Sequence, residues 1–113
     1  MPAATKPTPK SVLISESCLQ KRIRELGTQI AADYENQELV LLGVLRGSVL
    51  FFADLSRAIF DAQLETPGRE VQIRFEFVQL TSYHNSTQPA TVELIRGGSN
   101  YLKQRHILII EDI

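Results

Sequence analysis

The chain closes on His106-Ile107-Leu108-Ile109-Ile110-Glu111-Asp112-Ile113, four aliphatic residues in a row followed at once by two carboxylates. A strand with one wet face alternates apolar and polar residues. An unbroken aliphatic run reads instead as a strand buried on both faces, as in the parallel sheets of α/β proteins. Acids at the carboxyl end of such a strand stand where open α/β sheets bind their ligands. The sequence therefore predicts a polar binding edge at its last residues, and a chain that stops in the middle of its own site.

The rest of the sequence fits that architecture. Residues 1–10 hold Pro2, Pro7 and Pro9 and read as a disordered tail, because proline denies a segment its ladder and helix hydrogen bonds. Residues 11–113 read as one domain, with Ser11-Val12-Leu13-Ile14 as a short extended stretch. Ser15 or Ser17 can cap a first helix, and Ser17 with Gln20 fits a capping box. Leu19, Ile23, Leu26, Ile30 and Tyr34 then recur at helical spacing, with Gly27 as a tolerated weakness. Leu39-Val40-Leu41-Leu42-Gly43-Val44 reads as a fully buried strand. A helix from about Ser48 to Ala62 follows. Leu50, Phe51, Ala53, Leu55, Ala58 and Ile59 cover much of its circumference, which predicts a well-buried crossover. Thr66-Pro67-Gly68 is a turn, and Val71, Ile73, Phe75 and Phe77 alternate with polar residues as a half-buried strand does. The stretch from Thr81 to Gln88 reads as a mobile loop, Thr91 to Ile95 as a strand, Gly97 to Asn100 as a turn before a short helical piece, and Ile107 to Ile110 as the closing strand. The order of strands and helices is that of an α/β protein.

Composition narrows the function classes. A net charge of −1 gives no field to gather nucleic acid or a membrane surface. No apolar run reaches the length of a bilayer span, and the N-terminus lacks a signal-peptide core, so a cytoplasmic protein is expected. The single cysteine, Cys18, rules out an internal disulfide or a cysteine-built zinc site and is expected as a small buried or half-buried residue. His84 and His106 lie in unrelated segments and do not read as a metal pair.

Three polar stretches follow strands and should share one edge of a parallel sheet. Leu45-Arg46-Gly47-Ser48 lies between a buried strand and a helix. Gly47 permits close backbone approach, the helix offers free N–H groups, and Arg46 adds positive charge, which together suit a phosphate or diphosphate. An Arg-Gly pair in such a place is also commonly just a turn. Ser82-Tyr83 put hydroxyls and a ring on the loop, where they can fold over a ligand or simply cap a solvated hairpin. Glu111-Asp112 can accept hydrogen bonds from a vicinal diol, hold a hydrated magnesium ion, or merely end a strand. One ligand carrying a diphosphate and a ribose would need all three.

These residues resemble a known family. Residues 39–57, LVLLGVLRGSVLFFADLSR, are similar to the strand, pyrophosphate loop and helix of the hypoxanthine-guanine phosphoribosyltransferases. The Ser82-Tyr83 loop is similar to their flexible catalytic loop. Ile107 to Ile113 resemble the first half of their phosphoribosyl diphosphate (PRPP) motif, an aliphatic run, two acids and an apolar residue. The resemblance covers about residues 12–113. It implies a type I phosphoribosyltransferase fold, Rossmann-like with a mostly parallel sheet flanked by helices and truncated at its C-terminus. It also implies Mg2+, PRPP and a 6-oxopurine as substrates, and a homodimer or homotetramer at full length, with neither nucleic acid nor membrane as partner. Glu111 and Asp112 would contact the ribose hydroxyls directly or through the metal, Arg46 and Gly47 would line the pyrophosphate loop, and Ser82 and Tyr83 would close over the leaving group. The Leu45–Arg46 peptide would be a candidate for a cis bond.

The activity so implied is purine salvage, transfer of phosphoribosyl from PRPP to hypoxanthine or guanine to give IMP or GMP. The family pattern continues, after the acids, with an aspartate near the purine N7, a 5′-phosphate cradle and a base pocket, for which this sequence has no counterpart. The 113 residues alone are therefore expected to be inactive. Two other readings compete: an inactive remnant, and an RNA-binding regulator of pyrimidine genes on the same fold, against which the balanced charge argues.

Overall fold

The computed structural model describes residues 11–81, 91–94 and 99–112. The expected tail at 1–10, most of the loop around Ser82 and Tyr83, and Gly97 and Gly98 lie outside the described residues.

Helix α1, Glu16–Asp33, starts at Ser15, whose hydroxyl accepts the Cys18 N–H at 3.2 Å. Ser15 is thus the cap, and the Ser17–Gln20 capping box is not used. Ile23 and Ile30 are buried, and Leu26 and Tyr34 pack against the same core, so the predicted stripe holds from its second residue onward. Leu19, in the first turn, is 49% exposed. Cys18 is exposed, contrary to expectation, because its position on the helix is turned roughly 120–140° away from the Ile23–Ile30 stripe. The chain leaves α1 through Asn36 in the left-handed region and enters β1, Glu38–Leu45.

Helix α2, Val49–Glu65, follows β1 and runs three residues past the expected end. Gly68, at φ 88°, makes the predicted turn. Strand β2, Gln72–Thr81, then lies parallel to β1, and β3, Thr91–Leu94, returns antiparallel to β2. A single 3-10 turn, Ser99–Leu102, leads to β4, His106–Ile110, parallel to β1 on its other side. The sheet order is β3-β2-β1-β4. This is a Rossmann-like α/β arrangement, a mainly parallel sheet flanked by helices.

Strand β1 is interior, and Leu39, Val40, Leu41 and Leu42 are all buried, as the apolar run predicted. Leu39 and Leu41 meet Ile30 and Ala31 of α1, Phe52, Leu55 and Ile59 of α2, and Ile110 of β4 in one core. The helices cross closely at Gly27, where a Cβ would lie 2.6 Å from the Ala58 carbonyl carbon and 2.8 Å from its oxygen. That glycine is therefore a packing requirement rather than a weakness.

Three burial expectations change. Strand β2 is wet only at the start of its polar face: Gln72 and Arg74 are exposed, but Glu76 is 2% and Val78 6% exposed, where β2 lies inside the sheet between β1 and β3. Strand β4 is not buried on both faces. Ile110 joins the core, but Ile109 is 63% exposed, since β4 has β1 as its only neighbour in the described sheet. Helix α2 is not covered all round either, for Leu50 is 78% exposed.

Candidate active site

The parallel pairing decides where the polar stretches go. Gly43 of β1 stands opposite Ile110 of β4, and Leu45 stands opposite Gln79 of β2. The residues after β1, the end of β2 at Thr81 and the acids after β4 therefore emerge at one edge, the carboxyl ends of the strands. Ser82 and Tyr83 lie outside the described residues, so their side chains are not among those brought together here.

The loop Leu45-Arg46-Gly47-Ser48 is tied at both ends. Ser48 is 1% exposed and its hydroxyl donates to the Val44 carbonyl at 2.6 Å, bridging the loop from back to front. The Val49 N–H donates to the Arg46 carbonyl at 3.2 Å, and the Leu45–Arg46 peptide is cis. Because the Ser48 hydroxyl is turned back to β1, no side chain caps α2, and its first turn carries no acid. The first-turn N–H groups and the positive end of the helix dipole thus keep their preference for an external anion. Arg46 is exposed on the same loop. In the sequence Ser48 reads only as the end of the turn and an ordinary helix start; its burial, not its residue type, reveals its part in fixing the loop.

Asp112 closes the arrangement. A Cβ on Gly47 would overlap the Asp112 carboxylate, whose Cγ would be 2.8 Å and whose far oxygen 3.5 Å from it. The carboxylate rests on the bare α-carbon of the loop, so Gly47 and Asp112, which follow two different strands, meet. Glu111 precedes it, exposed at the same edge. Two adjacent carboxylates are hard oxygen donors of the kind magnesium takes. They are too few to enclose it, which suits an ion that keeps waters and substrate oxygens as its other ligands. Among the described residues no third His, Cys, Asp or Glu joins them in a ligand cluster.

A hollow of about 490 Å³ lined by Gln37, Glu38, Lys103, Gln104, Arg105 and His106 lies at the opposite edge of the sheet. Strand amino ends are not where such sheets take ligands. Its central carboxylate, Glu38, is already engaged by Arg74 and Arg105, an ion-pair cluster that ties β1, β2 and the start of β4 together.

Comparison with known proteins gives the family. The family model for the phosphoribosyl transferase domain matches residues 15–113. The chain belongs to the phosphoribosyltransferase family. Within it, the chain falls in the type I hypoxanthine-guanine group. It is 32% identical over 105 residues to a hypoxanthine-guanine phosphoribosyltransferase of Staphylococcus aureus, covering 92% of this chain and 53% of that protein. Identity to the Staphylococcus epidermidis protein is 33% over the same length and coverage. Among solved structures, the hypoxanthine phosphoribosyltransferase of Trypanosoma cruzi in complex with IMP superposes with a TM-score of 0.63 at 30% identity, over 91% of this chain and 50% of that one. A Staphylococcus aureus structure gives 0.61 at 31%, over 88% and 50%. The chain thus spans about half the length of the curated relatives it matches.

Proposed function

We propose that this chain supplies the diphosphate and ribose side of a purine-salvage phosphoribosyltransferase site, acting on PRPP and a 6-oxopurine. The observation that carries the proposal is the contact of Asp112 with Gly47, which joins a loop suited to a diphosphate to a pair of acids suited to a ribose diol. Membership of the family and the hypoxanthine-guanine relatives support the substrate class.

In this reading the Arg46 guanidinium and the N–H groups at the start of α2 bind the diphosphate and stabilise the negative charge that grows on it as the C1′–O bond breaks. The loop is held beforehand by Ser48, so little reorganisation is needed at that moment. Glu111 and Asp112 accept hydrogen bonds from the ribose hydroxyls, or orient them through a metal, and fix C1′ relative to the attacking purine nitrogen. Magnesium, held by these two carboxylates with water and substrate oxygens, would neutralise charge on the diphosphate. Ser82 and Tyr83 close over the leaving group and exclude water, which protects the activated sugar from hydrolysis. The 5′-phosphate cradle and base pocket fall to parts of the family length that these residues do not match, so the 113 residues alone bind PRPP but do not turn it over.

Isothermal titration of the chain with PRPP and Mg2+, beside a coupled assay for IMP, tests this reading. Saturable, magnesium-dependent binding without turnover is expected. Absence of PRPP binding together with salt-dependent RNA binding would replace it with the regulator.

A further inference from the structure

Strand β4 cannot take its register from its own apolar pattern. Ile107, Leu108, Ile109 and Ile110 are all aliphatic, so advancing β4 by one residue along β1 would put Ile109 in the core place of Ile110. Such a slip is normally closed because it carries polar side chains to the apolar face, and here it does not. The same advance would pull Gln104 out of the left-handed region, where it stands at φ 59°, a conformation that disfavours residues other than glycine. The opposite slip is closed, because it would drive Glu111 into the buried place of Ile110. In the described sheet β1 is the only neighbour of β4, so no second ladder holds it. The site depends on this alignment. Gly43 stands opposite Ile110, and Asp112, two residues on, rests on Gly47. After the advance the longer side chain of Glu111 would take that place, and Asp112 would turn to the other face.

We propose that Arg105 is a positioning residue: its ion pair with Glu38 pins β4 in register and so seats Asp112 on Gly47. The inference rests on the reading of that edge as the diphosphate and ribose side of the site. Arg105 precedes the first ladder pair, Leu39 with His106, and so stands beside Glu38, the first residue of β1. Its Nε donates to the Tyr101 carbonyl at 2.7 Å, and its guanidinium lies over the Tyr101 ring at 4.6 Å. The turn thus aims the guanidinium, whose Nη1 donates to the Glu38 carboxylate. Arg74 of β2 holds that carboxylate from the other side at 3.6 Å. In the advanced register Gln104 would stand beside Glu38 and Arg105 would turn to the opposite face of the sheet, so the pair cannot follow the slip. Polar groups fix alignment in the same way in coiled coils, whose apolar seams alone leave several registers open. His106, whose ring meets that of Tyr34 at 5.6 Å, adds a weaker tie at the same end.

Cross-strand NMR contacts read the register in the intact chain without any ligand. The unaltered chain should show contacts of Gly43 to Ile110 alone. Arg105→Ala should add contacts of Gly43 to Ile109, and its PRPP affinity should fall roughly three- to tenfold, since only the native register seats the carboxylate. Ile109→Thr separates this role from a merely structural one. At a 63% exposed position it keeps a β-branched side chain, and it makes the advance bury a hydroxyl. Arg105→Ala/Ile109→Thr should therefore recover the single set of contacts and a PRPP affinity within about twofold of the unaltered chain. A pair that only stabilised the fold would not be replaced by removing an apolar side chain elsewhere. Glu38→Gln loosens the pin from β1 and should show the same two sets of contacts, which keeps the test open should Arg105→Ala not fold. A single register in Arg105→Ala and Glu38→Gln, a slipped register with unchanged PRPP affinity, or no recovery with Ile109→Thr would each overturn the proposal. An unaltered chain that holds its register but binds no PRPP would overturn the reading of the site, while the contacts in Arg105→Ala would still decide the pin.

Discussion

Replacing Gly47 by alanine isolates the contact on which the site is built. The new Cβ would stand 2.8 Å from the Asp112 Cγ and well inside van der Waals contact with its near oxygen. Ordinary contact begins near 3.2–3.5 Å and the near oxygen lies closer than the Cγ, so the carboxylate has to retreat by about 1 Å or swing to another rotamer. The obstacle is the end of an exposed side chain rather than backbone, so the fold gives way cheaply. We expect a loss of stability below about 0.5 kcal/mol, the usual range for surface changes. Ligand binding should suffer more. A carboxylate displaced from its place forfeits a charge-assisted hydrogen bond to the ribose or to its metal, about 1.5–3 kcal/mol, which is a loss of roughly 10–100-fold in PRPP affinity. Calorimetric titration in the presence of Mg2+ measures it, with thermal unfolding as the control. Asp112→Ala should produce a loss of the same order, and the double variant should lose little more than either alone, because both changes remove one interaction. Unchanged affinity in Gly47→Ala, or full additivity in the double variant, would refute the reasoning.

Two other substitutions check the frame that holds the site. Gly27→Ala sets a gain in helix propensity of about 1 kcal/mol against an overlap with the Ala58 backbone that no rotamer relieves. We expect net destabilisation of about 1–2 kcal/mol in a urea melt, and a more stable variant would show that the helices do not cross there. Ser48→Ala removes the bond to Val44 from a fully buried site, so stability should fall by about 1 kcal/mol. PRPP affinity should fall as well, because the loop is no longer held in shape; a stability loss with unaltered affinity would leave Ser48 a purely structural role.

The legible parts of this molecule were those written in short-range pattern. The aliphatic run of β1 predicted its interior place, because an interior parallel strand has no wet face and its sequence shows none. The Arg46-Gly47 turn and the Glu111-Asp112 pair belong to one edge if the strands are parallel, since parallel strands send all their carboxyl ends the same way. What stayed hidden depended on neighbours far along the chain. Ile109 looks like Ile110 in sequence, and only the place of β4 in the sheet separates the exposed residue from the buried one. Leu50 counted as a core residue because composition cannot tell an inner apolar face from an outer one. Gly27 reads as a tolerated weakness because the residue that needs its bare α-carbon, Ala58, is 31 positions away and on another helix. Ser15 and Ser17 are equally good caps by type, and the turn entering α1 chooses between them.

The central question is whether Arg46, Gly47 and the Glu111-Asp112 pair act on one ligand. Titration of PRPP into the chain with and without Mg2+, repeated for Arg46→Ala, Asp112→Asn and the two combined, tests that most directly. The account predicts magnesium-dependent binding that each single change weakens at least about tenfold, the effect of losing one charged contact. Binding that ignores both substitutions, or none in the unaltered chain while its fold is intact by circular dichroism, would contradict it.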